Sequence, residues 1–437
     1  MSLFRFCKDR RGGVAPIFAI AVIPVFGLVG AAVDYSRANS IRAGMQSAID
    51  ATSLAMAKLA PTLTENELKT KSDAYFRAMF NHPEAKNLVI TPSYSTAGGS
   101  QLTIAVSGSM DTAFMKIMGF SSLNIGSTST VKWGMNRLRV ALALDNTGSM
   151  NSAGKIGALK TATKSLLTQL KNAATQNGDV YVSIIPFSRD VNVSAIGDHS
   201  SDWIRFKKTG DDTDSWNDNN GTCSDYSGWS QPKDRATCKD KDGKWKAANH
   251  NTWNGCVMDR DQDHDVTNNK PNGQPKLFPA QQYDACPVPL IGLTYDWTAL
   301  NTKVDSMVAN GNTNQAIGLA WAWQSLTEEP FTIPTKDSNY QYSEVIILMS
   351  DGLNTENRWT TSQTAIDTRQ ATMCANVKAA GLTLYTIHVN TDGDPTSTVL
   401  QNCASDASKF YTVTSSSQIG TVFNQIGTNL SKLRIAK

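Results

Sequence analysis

The chain has 437 residues, 40% of them hydrophobic, which is enough for two or more buried cores and excludes an unfolded chain or a single small domain. Its formal net charge of +3 is spread along the sequence without a dense basic patch or an acidic tail, so nucleic acid is not an expected partner.

Segment 1–11 carries Arg5, Lys8, Arg10 and Arg11 against the single acid Asp9. An uncharged run follows at 12–33, GGVAPIFAIAVIPVFGLVGAAV, long enough to cross a hydrocarbon core. The positive excess before it predicts a cytoplasmic N-terminus and export of everything after the helix. Pro16 and Pro24 are tolerated in such a helix. A cleaved secretory signal is the alternative, because GAA before Val33 resembles a small-residue cleavage site. The helical pattern that continues past it favours a retained anchor.

Over 34–60, Ile41, Met45, Ile49, Met56 and Leu59 recur at steps of three, four or seven, which predicts one amphipathic helix. A second short helix breaks at Asn81-His-Pro83. The stretches LVITPSYS, LTIAVSGSM and STSTVKW between 88 and 133 alternate like strands, with a short helix expected at 110–120 between two of them. The region 34–135 therefore reads as a helix plus a small α+β module.

From 136 to 437 the pattern changes to buried strands alternating with helices, which predicts an α/β fold with a doubly wound, mostly parallel sheet. The strands are LRVALAL, VYVSIIPF, EVIILMS, LTLYTIHV and one after Lys409. The helices are expected at about 152–174, 297–308, 313–327, 362–380 and at the end of the chain. The alternation fails over about 190–295, a block rich in Asp, Asn, Gly and Lys that holds Trp203, Trp216, Trp229, Trp245, Trp253 and four cysteines. A loop this long is functional or disordered as a rule, and its cysteines and tryptophans point to an ordered, disulfide-stapled insertion. Its tryptophans form either a binding face or local cores.

Cys7 falls on the cytoplasmic side. Cys223, Cys238, Cys256, Cys286, Cys374 and Cys403 fall outside, an even number in an oxidising compartment. Nearest-neighbour pairing is expected among the 15 connectivities six cysteines permit. None has the CxxC spacing of a zinc site.

The residues that carry chemistry stand at strand ends, where open α/β sheets bind ligands. LRVALAL runs into Asp145-Asn-Thr147-Gly-Ser149, EVIILMS ends in Asp351-Gly352, and Thr313 enters a helix with a free hydroxyl. Two carboxylates and three hydroxyls make an oxygen-only set suited to Mg²⁺ or Mn²⁺, with an incomplete shell that an acidic group from a partner would complete. Gly148 and Gly352 are expected to let the backbone turn toward the ion. Any one of these polar residues, taken singly, is also a common helix N-cap.

Together they resemble the von Willebrand factor type A domain and its metal-ion-dependent adhesion site, whose signature is Asp-x-Ser-x-Ser, a distant Thr and a later Asp-Gly. Asp145, Thr147 and Ser149 match the first part, with Thr in place of Ser at 147. Thr313, followed five residues later by Gly318, matches the second, and Asp351 the third. The resemblance covers about 140–435 apart from the insertion, and implies the ion and a protein-binding role. RRGGVAPIFAIAVIPVFGLVGAAVDYSRA with MQSAIDATSLAMAK, about 10–60, is similar to the TadE/TadG-like family associated with Flp pilus assembly. That likeness implies pilus or envelope partners and association through the N-terminal helix. Pilin-like relatives carry a Glu soon after a Gly cleavage point; here the neighbourhood is apolar, which again favours a retained anchor.

Asp259, Asp261, Asp263 and Asp265 alternate like a calcium loop but lack the Gly and late Glu of an EF-hand, so a solvated loop is expected. No HExxH, GxSxG, P-loop or GxGxxG motif is present, and His388 lies in a buried-strand pattern. The expectation is a non-catalytic, metal-dependent protein-binding component of Tad/Flp pilus assembly or envelope adhesion, its outer domain periplasmic or surface-exposed. A surface adhesin and a metal-dependent hydrolase are the alternatives.

Overall fold

The computed structural model describes residues 14–96, 100–133, 136–207, 215–338 and 340–435. The basic cluster at Arg5, Lys8, Arg10 and Arg11, and Cys7, lie outside them. The chain divides into two compact units, one ending at Met135 and the other covering Asn136–Ala436.

In the first unit a single helix, α1 (Val14–Ala57), runs through Pro24 and past Asp34 without a break. It is the one described helix long and apolar enough to cross a membrane. Its first half turns Phe18, Ile20, Phe26 and Leu28 outward, each about 70% exposed. Its second half buries Ala38, Ile41, Met45, Ile49 and Met56. The helix α2 (Glu65–Met79) begins in a capping box, in which the Thr64 N–H donates to Glu67 Oε2 at 2.9 Å and the Glu67 N–H to Thr64 Oγ1 at 3.4 Å. Both helices cover an antiparallel sheet of β1 (Ala85–Ser95), β2 (Ser100–Asp111) and β3 (Ser122–Trp133), in that order. Alternation is cleanest on β2, the middle strand, where Leu102, Ile104, Val106 and Met110 point into the core. The short helix expected at 110–120 is a 3₁₀ turn at Met115–Met118.

In the second unit the strands β4 (Asn136–Asp145), β5 (Val180–Phe187), β6 (Ile291–Thr294), β7 (Gln341–Ser350), β8 (Thr383–Val389) and β9 (Phe410–Val413) alternate with helices. The helices are α3 (Lys155–Ala173), α4 (Trp297–Ser306), α5 (Gln315–Thr327), α6 (Gln363–Ala379), α7 (Thr398–Cys403) and α8 (Ser417–Ile435). The spatial order β9-β8-β7-β4-β5 is parallel throughout, and β6 pairs antiparallel with β5. This is the mostly parallel, doubly wound sheet the alternation predicts. The central β4 serves both faces. Leu138, Val140, Leu142 and Leu144 pack with α3, α4 and α8, whereas Ala141 and Ala143 pack with α5, α6 and α7. Alanines suit that second face because α5 presses close and brings Trp321 and Trp323 with it.

The insertion is more tightly integrated than a stapled excursion. Its short strands Val191–Asn192, Cys256–Val257, Phe278–Gln281 and Ile204–Arg205 prolong the sheet beyond β5 in that order. Trp216 is buried in the core, Trp203 and Trp253 pack against it, and the Trp245 Nε1–H donates to the Asn217 carbonyl at 2.8 Å. Only Trp229 is fully exposed. Of the two alternatives for these tryptophans, the structure therefore gives local cores. The cysteines pair as nearest neighbours, Cys223–Cys238, Cys256–Cys286 and Cys374–Cys403, the last joining α6 to α7.

Candidate functional site

The site is built where β4 and β7 end side by side. Leu144 pairs with Met349, so Asp145 at the end of β4 meets Ser350 and Asp351 at the end of β7. Asp145 is fully buried. Its Oδ1 accepts the Thr147 N–H at 2.8 Å and its Oδ2 accepts the Ser350 hydroxyl at 2.5 Å. The Thr147 and Ser149 hydroxyls lie 3.0 Å apart, and Ser149 Oγ donates to Asp351 Oδ1 at 2.7 Å. Four of the five expected residues thus form one chain of polar contacts spanning two loops.

None of these hydroxyls caps a helix. Thr147 is the N-cap residue of the 3₁₀ segment Gly148–Gly154 and Gly154 that of α3, and neither makes a side-chain cap hydrogen bond. The helix-cap account of Thr147 and Ser149 fails on that point.

Thr313 arrives on a third loop that is stitched to the first. The Gly148 N–H donates to the Gly311 carbonyl at 2.9 Å, and the Asn310 N–H to that of Asn146 at 2.7 Å. The Thr313 N–H donates to Thr355 Oγ1 at 2.8 Å, which ties it to the loop after Asp351 as well. The insertion holds this loop from outside, through Tyr283 Oη accepting the Asn312 N–H at 3.0 Å and Asp259 Oδ2 accepting from Asn314 Nδ2 at 2.8 Å.

The expected roles of the glycines need correction. Neither Gly148 nor Gly352 has a positive φ; the left-handed positions near the site are Ala153, Gly154 and Gly311. Gly318 answers to packing instead. A Cβ there would stand 2.4 Å from the Phe187 ring, so only glycine lets α5 lie against the end of β5.

Two groups escape sequence reasoning. Ser350 looks like any buried strand residue, yet its hydroxyl satisfies Asp145. Lys155 has a fully buried side chain whose Nζ is 2.6 Å from Asp351 Oδ2 and 3.3 Å from Asp392 Oδ2. The need for an acid shows only once α3 is seen to start at Lys155, since a lysine at the first residue of a helix opposes the helix dipole.

Electrostatics follow from burial. Removal from water, and then the negative charge of Asp351, push the Asp145 carboxyl from an ordinary 3.8 to about 7. Burial alone would depress the Lys155 ammonium, but its bonds to Asp351 and then Asp392 carry it above the usual lysine value. A buried pair of like charges flanked by hydroxyl oxygens fits a hard divalent cation, because all its donors are oxygens and the ion would relieve the repulsion. Among the described residues no group of three or more His, Cys, Asp or Glu is placed to hold a metal.

Asp259, Asp261, Asp263 and Asp265 are not a solvated loop. Asp259 and Asp265 are buried, Arg205 and Arg358 reach Asp261, and Arg369 reaches Asp263 and Asp265. Arginines already take the charge a calcium ion would. His388 is fully buried, and its Nδ1 accepts the Ser397 N–H at 3.4 Å.

Residues 12–58 match the TadE/G-like family, described as putative Flp pilus-assembly proteins. Solved structures similar to the chain include the pilus adhesin SpaC from Lactobacillus rhamnosus GG in its open conformation, at 13% identity and a TM-score of 0.38, covering 81% of this chain and 35% of that one. The vWF domain of the type V pili tip protein Mfa5 from Porphyromonas gingivalis is 10% identical, with a TM-score of 0.38, over 69% of this chain and 97% of that one. Proximal thread matrix protein 1 from the mussel byssus, with a zinc-occupied MIDAS motif, is 12% identical, with a TM-score of 0.34, over 69% of this chain and 47% of that one. The chain thus spans about a third of the length of the SpaC adhesin. No curated protein matches it.

Proposed function

We propose that the chain is a non-catalytic component of Tad/Flp pilus assembly, anchored in the inner membrane by α1, whose second unit binds an envelope or pilus protein through a divalent cation. Asp145, Thr147, Ser149, Thr313 and Asp351 hold the ion, Mg²⁺ or Mn²⁺, directly or through water. The cation supplies a Lewis-acidic position for a carboxylate of the partner. The chain's residues do the rest: Ser350 and the Thr147 N–H orient Asp145, Lys155 fixes Asp351, and backbone hydrogen bonds tie the loop that carries Thr313 to the loop after β4.

The observation that carries this reading is the continuous set of contacts from Asp145 through Ser350, and from Thr147 through Ser149 to Asp351, with none of these hydroxyls spent on a helix cap. The experiment is capture of envelope proteins by the full chain in Mg²⁺ or in EDTA, with wild type and Asp145→Ala. Capture in Mg²⁺ that disappears in EDTA and in Asp145→Ala supports the proposal. Identical capture in every lane refutes metal-mediated recognition.

A further inference from the structure

The loop joining β2 to β3 exposes four large apolar side chains within seven residues: Phe114 at 48%, Ile117 at 85%, Met118 at 50% and Phe120 at 56%. An exposed cluster of this kind marks an interaction surface, not a water-facing turn. The loop does not project freely. It folds back along the apolar half of α1 and touches bare helix backbone at two successive points. A Cβ added at Gly30 would stand 2.4 Å from Phe114 Cβ, and one at Gly27 2.9 Å from Met118 Sδ. Val22, Phe26 and Val29 line the apolar recess between loop and helix.

Asp34 fixes this arrangement. It is fully buried, and its carboxylate accepts three successive backbone N–H groups of the loop, from Ala113 at 3.0 Å and from Phe114 and Met115 at 2.8 Å each. Asp34 is also the first charge after the uncharged run of 12–33. At about 1.5 Å of rise per residue, Gly27 lies about 10 Å along the axis from Asp34, on the apolar side. Met118, packed on Gly27, hangs at the same level.

We infer that loop 112–121 is a membrane-dipping finger, which inserts Phe114, Ile117, Met118 and Phe120 among the acyl chains of the leaflet nearest the three-stranded sheet. The inference rests on the reading of 12–33 as a membrane span. Lipid is the occupant because the patch is continuous with the lipid-facing side of α1 and lies at its depth. Much of the loop's backbone is also satisfied, as leaving water requires, with three N–H groups taken by Asp34 and others bonded within the loop. The Ile117 N–H donates to Phe114, that of Gly119 to Lys116 and that of Phe120 to Met115, each at 3.1 Å, while the Thr112 N–H donates to Ser121 at 3.1 Å and the Thr112 hydroxyl to Phe120. Lys116 is the single charge in the loop, and its long stem lets the ammonium reach the headgroups.

The test uses the full chain with Cys7→Ser and intact disulfides, reconstituted in liposomes of phosphatidylethanolamine and phosphatidylglycerol. An environment-sensitive fluorophore is placed at Ile117→Cys, Phe120→Cys, Leu28→Cys or Thr128→Cys, all exposed positions. Ile117 and Phe120 probes should emit blue-shifted and lose most of their emission to nitroxide-bearing lipids, as the Leu28 probe does. Aqueous iodide should quench only the Thr128 probe. If Leu28 responds to lipid nitroxides but Ile117 and Phe120 respond to iodide, the finger lies in water and the proposal fails while the span stands. Loop probes shielded from both quenchers would mean a protein contact, such as a second copy, and also overturn it. A Leu28 probe deaf to the lipid quencher removes the span itself.

Discussion

Asp145 sits beyond the reach of water and in the field of Asp351, so its protonation is linked to folding. The folded chain holds its proton up to about pH 7, against an ordinary 3.8, and so binds an extra proton between those values. Through this group, the metal-free protein loses stability as pH rises from about 4 to about 7, with the full stability below that window. In EDTA, the Tm of wild type should fall across it more steeply than that of Asp145→Asn; parallel curves would contradict the assignment. Mg²⁺ needs the ionised carboxylate, so its affinity should rise over the same range, which titration calorimetry at several pH values would measure. Lys155→Met leaves Asp351 buried without its counter-charge and should destabilise the metal-free protein by about 3–5 kcal/mol. Saturating Mg²⁺ should restore more of the Tm in this variant than in wild type, and an equal gain in both would show that Lys155 and the ion do not share Asp351. Asp145, Thr147, Ser149 and Asp351 are legible in the sequence because each follows a strand too apolar to be anything but buried. Lys155 is not, because a lysine in an amphipathic helix ordinarily belongs to its wet face.

At the scale of elements, α5 and β5 meet in a close joint at Gly318. Gly318→Ala drives a methyl group into the Phe187 ring and should cost about 1–3 kcal/mol, read from urea denaturation of the full chain; an unchanged midpoint would mean the helix shifts freely. The parallel strands are readable in the sequence because burial on both faces makes them continuous apolar runs, as in VYVSIIPF, and the helices because they carry a 3.6-residue period. The insertion is unreadable for a related reason. Its sheet strands are two to four residues long, too short for any period, and they are held by pairing with one another and, at one residue pair, Phe187 with Val191, with β5. The disulfide Cys256–Cys286 closes a span of 30 residues in that region, and replacing both cysteines by serine should lower stability by about 2–4 kcal/mol. The short helix expected at 110–120 contracts to one 3₁₀ turn because β2 runs on to Asp111 and the N–H groups of Ala113, Phe114 and Met115 are taken by Asp34.

For the whole molecule, the anchored reading predicts that the chain stays in the membrane pellet after alkaline carbonate extraction of cells. Release into the supernatant at the mass expected for cleavage after Ala32 would instead identify 12–33 as a removed signal. Helix α1 has a mechanical consequence of its own. Its 44 residues make a rod of about 66 Å with no linker between the half that carries the apolar run and the half clamped to the three-stranded sheet. On the anchored reading no flexible joint lies between the spanning half and the sheet, so a tilt or rotation of the spanning end swings the attached sheet with it, like the pointer of a gauge.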